Sequence, residues 1–231
     1  MIFDTTYLAI DLDALEENLS AIRAKADTKI LAVVKADAYG HGAVPISRYL
    51  TELGAEYLAV SNIEEAAQLR RGGIRGPILI LGYTPPFYAE ELARMGLRQE
   101  VHSLEYAVAL NERLKGTTRR IKIHLKLDTG MSRLGFFSYK CEKTVEEIQT
   151  ISNMEHLLIE GVFTHFPVAE ARAVFKDPDT ALHKPRIIRP GNRIYCPLVR
   201  DARCDDPHVD SPFGSQLERT YHFVGDDQIG R

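Results

Sequence analysis

The chain has 231 residues, of which 45% are hydrophobic and 26% are charged, and its formal net charge is −3. This composition is typical of a globular protein with one large domain or two small ones, and it excludes a collagen-like or highly charged disordered chain. The slightly acidic balance gives no reason to expect nucleic acid or an anionic membrane surface as a partner. No apolar run approaches the roughly 20 residues that a membrane-spanning helix needs.

The three cysteines, Cys141, Cys196 and Cys204, are odd in number and match no zinc-ligand spacing. We therefore expect reduced thiols in a cytoplasmic protein and no bound metal.

Short apolar runs alternate with amphipathic stretches over the first 166 residues. The predicted strands are Ile30–Val34, Tyr57–Val60, Pro77–Leu81, Gln99–His102, Ile121–Leu127 and Leu157–Thr164. The predicted helices are Leu12–Ala26, with Asp11 or Asp13 as its cap, and then Ala43–Leu53, Ile63–Arg71, Tyr88–Met95, Leu104–Leu114 and Glu142–Ile151. Gly72 and Gly73 are typical helix-ending residues.

The predicted strands are almost continuously apolar, which is typical of strands buried on both faces of a parallel sheet. About six strand–helix units in succession predict an α/β fold with helices covering the sheet. Two architectures fit this rhythm: an open doubly wound sheet, or a barrel of eight units, which needs about 250 residues.

The strand–helix rhythm fades after Phe166. Seven of the eleven prolines lie in 167–231, and the stretch from Pro185 to Arg231 contains seven arginines and no lysine. We predict two parts, a strand–helix domain at 1–166 and an irregular tail at 167–231. The alternative is a loop-rich region whose packing leaves no periodic pattern.

The segment from Leu31 to Gly42 is the most informative in the chain, because a buried strand ends directly in Lys35. Ligands of parallel α/β folds bind at the carboxyl ends of strands, so this lysine is expected at the mouth of a site. A partly desolvated lysine loses its proton more easily and can then attack an aldehyde. Gly40 and Gly42 allow a tight turn there. A solvated strand-end lysine is the alternative.

This segment, Val33-Val34-Lys35-Ala36-Asp37-Ala38-Tyr39-Gly40-His41-Gly42, resembles the cofactor-attachment motif of alanine racemases. The resemblance implies that Lys35 binds pyridoxal 5'-phosphate as a Schiff base and is a catalytic base, and that Tyr39 contacts the cofactor phosphate. It also implies a TIM-type (β/α)8 barrel, of which this chain contains about six recognisable units.

Two further segments resemble the same family in the same order. Leu125–Gly135 is similar to the end of the fifth strand, which implies that Arg133 binds the substrate carboxylate and that Lys126, a lysine sometimes carbamylated in the family, orients the arginine. Glu160–Phe166 is similar to the end of the sixth strand, which implies that His165 lies beside the cofactor ring. An exposed strand lysine, a surface arginine and a structural histidine are the alternatives.

The resemblance covers roughly Phe3 to Phe166 and implies a homodimeric isomerase that interconverts L-alanine and D-alanine for peptidoglycan. The family's later barrel strands, its β-rich C-terminal domain and the tyrosine that acts as second catalytic base have no match in the sequence. Arg189-Pro190-Gly191 lies too close to His165 to be the family's similar triplet. Dimerisation of this chain is therefore doubtful. The alternative to a racemase, whether intact or truncated and impaired, is an inactive fragment that at most binds pyridoxal phosphate. A related single-domain pyridoxal-phosphate-binding protein of the same barrel type ranks last, because its attachment motif differs from the one seen here.

Overall fold

The sheet of this protein is parallel at every strand pair that the structure describes. The computed structural model describes residues 8–26, 28–138 and 140–166. The strands are β1 (Leu31–Val33), β2 (Tyr57–Val60), β3 (Ile78–Ile80), β4 (Arg98–Val101), β5 (Ile121–Asp128), β6 (Phe136–Phe137) and β7 (Leu157–Thr164). The predicted tail at 167–231, with Arg189, lies outside the described residues.

Strands β1 to β5 lie side by side in chain order, and β7 continues the array by pairing with β5. The two-residue strand β6 also pairs with β5, at Leu127 and Asp128, beyond the last residue of β4. Consecutive parallel strands in this order are the arrangement that forms the wall of a (β/α) barrel. The predicted α/β class with about six barrel-type units is therefore confirmed for the described part of the chain.

One helix precedes β1, and helices lie between the later successive strands except between β5 and β6. They are α1 (Leu12–Lys25), α2 (Lys35–Tyr39), α3 (Ala43–Glu52), α4 (Ile63–Arg71), a 3₁₀ helix (Pro86–Tyr88), α5 (Ala89–Arg94), α6 (Leu104–Arg113) and α7 (Cys141–Ser152). None of the described helices is both long enough and apolar enough to cross a membrane.

Local signals in the sequence explain where several helices begin and end. Asp11 caps α1 by accepting hydrogen bonds from the backbone N–H groups of Asp13 and Ala14, which confirms one of the two predicted caps. Helix α4 ends at Gly72, and Gly73 follows with a φ of 87°, as predicted for this glycine pair.

Two apolar clusters lie on opposite faces of the sheet. The larger one fills the space between the sheet and the helices, and its fully buried members include Leu69, Ile78 and Leu110. The smaller one lines the inner face, with Leu31, Tyr57, Ala59, Leu79 and Phe163. Burial on both faces is the reason that the strand sequences are nearly continuous in apolar residues.

Three features were not predicted from the sequence: strand β6, the 3₁₀ helix and helix α2. The last of these departs most from expectation, because Ala36, Asp37 and Ala38 have φ and ψ values near +50° and form a left-handed turn. Predicted strand and helix bounds otherwise agree to within one or two residues, with β4 shifted by one residue toward the N-terminus.

Candidate functional site

The carboxyl ends of β1, β5 and β7 carry the residues predicted to form the site. Lys35 follows β1, Lys126 lies near the end of β5, and His165 is the first residue after β7. Since Leu127 of β5 is paired with Thr164 of β7, His165 lies beside the end of β5. The fold therefore brings these three positions to the same edge of the sheet, where parallel α/β proteins bind their ligands.

Lys35 and Tyr39 are close to each other because the chain between them is a left-handed turn. Residues 36 to 39 all have φ values between 50° and 56°, and none of them is glycine. The Nζ atom of Lys35 lies 5.7 Å from the centroid of the Tyr39 ring. Left-handed backbone costs roughly 1–2 kcal/mol per residue for L-amino acids, so contacts with the rest of the fold must hold this turn.

Two carboxylates hold the turn through backbone N–H groups. Glu65, in the first turn of α4, accepts a hydrogen bond from Ala36 N at 2.9 Å and another from Ser61 N at 2.7 Å. Asp37 accepts one from Ala43 N at 2.7 Å, and so caps α3, whose own N-cap residue is Gly42. Hydrogen bonds to charged groups each contribute about 1.5–3 kcal/mol, which is enough to offset much of the left-handed strain.

Lys126 is only 6% exposed and lies on the inner face of the sheet, with its Nζ atom 5.7 Å from the centroid of the Phe163 ring. Burial has the largest effect and lowers the pKa of Lys126. The negative charge of Glu100 raises this pKa, and the positive charge of Arg133 lowers it further. Weaker effects of the same kind come from Asp128 and Lys35. Lys126 therefore lies close enough to Arg133 and Lys35 for their charges to affect its pKa.

Arg133 is exposed, in the loop between β5 and β6. Asp128 folds this loop by accepting hydrogen bonds from Gly130 N at 3.0 Å and Ser132 N at 2.9 Å. Gly135 closes it with a φ of 132°, where a Cβ atom would lie 2.6–2.8 Å from backbone atoms of residues 126 to 128. No hydrogen bond joins Arg133 to Lys126 within the described residues, so the predicted orientation of the arginine by the lysine stays a prediction.

A polar layer lies deeper in the sheet interior, centred on Glu160 at the amino-terminal side of the site. The carboxylate of Glu160 accepts hydrogen bonds from Arg98 Nε at 2.9 Å, Lys122 Nζ at 2.6 Å and Tyr57 Oη at 3.2 Å. Burial raises the pKa of Glu160, but hydrogen bonds from His124, Arg98 and Lys122 outweigh burial and lower it well below its ordinary value. The charges of this layer are thus paired with one another, and the layer lies away from the edge of the sheet that carries Lys35 and His165.

Sequence reasoning missed two carboxylates of this region, Glu65 and Glu100. The spacing Asn62-x-x-Glu65 is a helix-capping signal that could have identified Glu65, since Asn62 accepts a hydrogen bond from Glu65 N at 2.9 Å. Glu100 lies within the predicted strand Gln99–His102, and a charged residue in a strand expected to be buried is itself a signal of a polar interior.

Comparisons with known proteins place this architecture in one family. The family model described as alanine racemase, N-terminal domain, matches residues 10–185. Alanine racemase 1 of Clostridium acetobutylicum is 44% identical over 163 residues, which cover 70% of this chain and 42% of that protein. The chain thus spans less than half the length of the curated relatives that it matches. The predicted domain boundary at Phe166 stays a prediction.

Solved structures agree with the sequence relatives. The alanine racemase of Clostridium difficile 630 in complex with cycloserine is 42% identical, with a TM-score of 0.65, and the match covers 68% of this chain and 43% of that one. The histidine racemase from Leuconostoc mesenteroides is 33% identical, with a TM-score of 0.66, over 70% of this chain and 43% of that one. The matched region of this chain is thus similar to racemases named for two different amino acids.

Proposed function

Because this chain belongs to the family of alanine racemase N-terminal domains, we propose that it binds pyridoxal 5'-phosphate covalently through Lys35 and takes part in the interconversion of L-alanine and D-alanine. The observation that carries the proposal is the half-buried Lys35 at the carboxyl end of β1, with the ring of Tyr39 5.7 Å from its Nζ atom. An amine in this position can react with the cofactor aldehyde, and a phenol beside it can donate a hydrogen bond to a phosphate.

The donor set around Lys35 fits this cofactor. Lys126 and Arg133 add positive charge to the same region, and the cofactor and an amino-acid substrate both carry anionic groups. A guanidinium group can bind a carboxylate with two parallel hydrogen bonds, which is the role proposed for Arg133. We propose that His165 packs beside the cofactor ring, because it follows β7 at the same edge of the sheet.

When bound, pyridoxal phosphate would delocalise the negative charge that forms at the α-carbon of the amino acid. Lys35 would remove or deliver the α-proton on one face, because its amine lies at the point of attachment. Racemisation also needs a proton donor on the opposite face, and the sequence matches the family over only part of its length. Cofactor binding and racemisation are therefore separate steps of the proposal and have separate tests.

The proposed attachment is tested by incubating the full chain with pyridoxal phosphate, reducing with borohydride and locating the label by mass spectrometry. We expect the label on Lys35 and its loss in Lys35→Ala. Lys29 is an exposed lysine just before β1, at the opposite end of that strand, so Lys29→Ala is a matched control that should keep the label. A wild-type chain labelled elsewhere, or not labelled at all, would refute the attachment.

Racemisation is tested by a coupled assay for D-alanine formed from L-alanine by the cofactor-loaded chain. Turnover that Lys35→Ala abolishes supports the enzyme. A chain labelled at Lys35 that forms no D-alanine would instead support the alternative of a cofactor-binding fragment. The racemisation of L-histidine is measured in parallel by chiral chromatography, because one of the similar structures is a histidine racemase.

A further inference from the structure

Two threonine hydroxyls join the ends of β5 and β7. Thr129 is the first residue after β5, and Thr164 is the last residue of β7. Their Oγ1 atoms lie 2.7 Å apart, and Thr164 Oγ1 also lies 2.9 Å from the carbonyl oxygen of Leu127. A carbonyl oxygen can only accept a hydrogen bond, so the Thr164 hydroxyl donates to Leu127. The Thr129 hydroxyl therefore donates to Thr164, and the two hydroxyls form a directed chain.

This chain of hydroxyls lies where the backbone pairing of the two strands ends. Leu127 and Thr164 are the last residues at which β5 and β7 pair with each other. The next residue after β7 is His165, and β5 continues at Thr129 into the loop that contains Arg133. The hydroxyls thus connect the two strand ends at the point where the ladder of backbone pairs stops.

The alternation of side chains along β7 explains how Thr164 affects His165. Phe163 belongs to the apolar cluster on the inner face, and Val162 packs against the cluster between the sheet and the helices. Successive side chains of a strand point to opposite faces, so Thr164 lies on the helix side and His165 follows on the inner side. Hydrogen bonds that hold the Thr164 side chain on the helix side therefore keep this alternation up to the end of the strand and direct His165 inward.

The bonds of Thr164 differ in reach from those of threonines in helices and turns. Thr51, Thr117 and Thr150 each donate to a carbonyl three or four residues earlier in the chain. The partners of the Thr164 hydroxyl lie 35 and 37 residues away, at the end of another strand. Loss of this hydroxyl would therefore weaken a connection between two strand ends and would leave every helical turn intact.

We infer that Thr164 is a positioning residue whose hydroxyl holds His165 beside the cofactor site and connects it to the loop that contains Arg133. The inference rests on the proposed function, because that proposal places His165 beside the cofactor ring. Thr164 contacts neither cofactor nor substrate in this proposal and acts through the residue that follows it. Valine is the matched replacement, since it is close to threonine in shape and its side chain forms no hydrogen bond.

The first test needs no cofactor and follows the His165 ring by ¹H–¹³C NMR in the full chain with ¹³C-labelled histidine. The His165 resonance is the one that disappears in His165→Ala. We expect it to shift by more than its linewidth in Thr164→Val, because the surroundings of the ring change. Thr164→Ser keeps the hydroxyl and should restore the wild-type position. Thr150→Val is the control, because it also removes a hydroxyl that donates to a carbonyl at 2.9 Å, and it should leave the resonance unchanged.

The second test measures the dissociation constant of pyridoxal phosphate by titration of the full chain. Thr164→Val should raise this constant by a factor of roughly three to ten, which is the range expected for one lost hydrogen bond. In a His165→Ala background the same substitution should raise it less than about twofold, because the residue through which Thr164 acts is gone. An equal factor in both backgrounds would show that Thr164 acts on the fold as a whole, and would overturn the inference.

Circular dichroism shows whether each variant is folded. If Thr164→Val does not fold, Thr129→Val takes its place, because it removes the hydroxyl that donates to Thr164. An unshifted His165 resonance in the folded variant would overturn the inference. Borohydride labelling separates the two proposals. A wild-type chain without label on Lys35 contradicts the proposed function, and the NMR result alone then decides the role of Thr164. A labelled chain whose His165 resonance is unchanged in Thr164→Val contradicts the inference alone.

Discussion

Substitution of Glu65 tests whether distant contacts hold the left-handed turn that carries Lys35. The four residues from Ala36 to Tyr39 have positive φ values, which together cost about 4–8 kcal/mol at roughly 1–2 kcal/mol each. Glu65 bonds Ala36 N and Ser61 N with separate oxygens, and so ties this turn to α4. In Glu65→Gln one of the two oxygens becomes an NH₂ group, which cannot accept a bond from a backbone N–H.

The loss of one charge-assisted hydrogen bond is expected to cost about 1.5–3 kcal/mol. For a domain of this size that corresponds to a fall in Tm of roughly 3–12 °C, measured by thermal unfolding. Because the affected backbone leads directly from Lys35, the yield of borohydride-reduced cofactor on Lys35 should fall as well. Thermal unfolding and labelling on the same preparations measure the two effects independently.

Glu64→Gln is the matched control, since Glu64 lies in the same first turn of α4 and is exposed. The charge of Glu64 interacts favourably with the N-terminus of α4, but the residue is exposed. Removing this charge should therefore lower the free energy of unfolding by only about a few tenths of a kcal/mol. If Glu65→Gln and Glu64→Gln had the same Tm and the same labelling yield, the turn would not depend on Glu65 and the reasoning would be wrong.

Two further predictions concern the fold around the site. Gly135→Ala should lower the free energy of unfolding by several kcal/mol in denaturant titrations, because the new Cβ would lie 2.6 Å from Asp128 N. Gly76→Ala is the control, because a Cβ there would meet open space, and it should cost less than about 1 kcal/mol. Glu160→Gln should cost about 1.5–3 kcal/mol by weakening a partly buried ion-pair network with Arg98. Folding lowers the pKa of Glu160, so its carboxylate contributes fully to the free energy of unfolding above the ordinary pKa of 4.5. This contribution is lost as pH falls below 4.5. Unfolding followed from pH 6 downward should therefore show a steeper loss of stability in the wild type than in Glu160→Gln, and parallel curves would contradict this.

The strands and most helices could be predicted because their signals are local. A run such as Ile121–Leu127 is apolar on both faces, and a parallel sheet covered by helices on one side and filled on the other is the fold that buries both. Helix ends such as Asp11 and Gly72 are set by residues within one turn of the end. Such elements need no knowledge of the rest of the chain.

The left-handed turn could not be predicted because its cause is not local. Alanine at 36 and 38 favours a right-handed helix in isolation, and Gly40 and Gly42 suggested only a tight turn after it. The conformation depends on Glu65, 29 residues away from Ala36 in the chain. The same holds for the effect of the Glu100 charge on the pKa of Lys126, because it depends on the register of β4 against β5 and not on either strand sequence.

The charge of the site follows from how its carboxylates are used. Asp37, Glu65 and Asp128 all lie near the carboxyl ends of β1 and β5, or at the start of α4, and all three accept hydrogen bonds from backbone N–H groups. Their negative charge is thereby directed at the loops and not at the opening between them. Lys35 and Arg133 lie in the same region as these acids, and they are the positive groups proposed to meet a ligand there. An anionic phosphate or carboxylate is the ligand chemistry that this division of charge favours. The hydrogen bonds that fold the loops thus also reduce the negative charge that these acids present to a ligand.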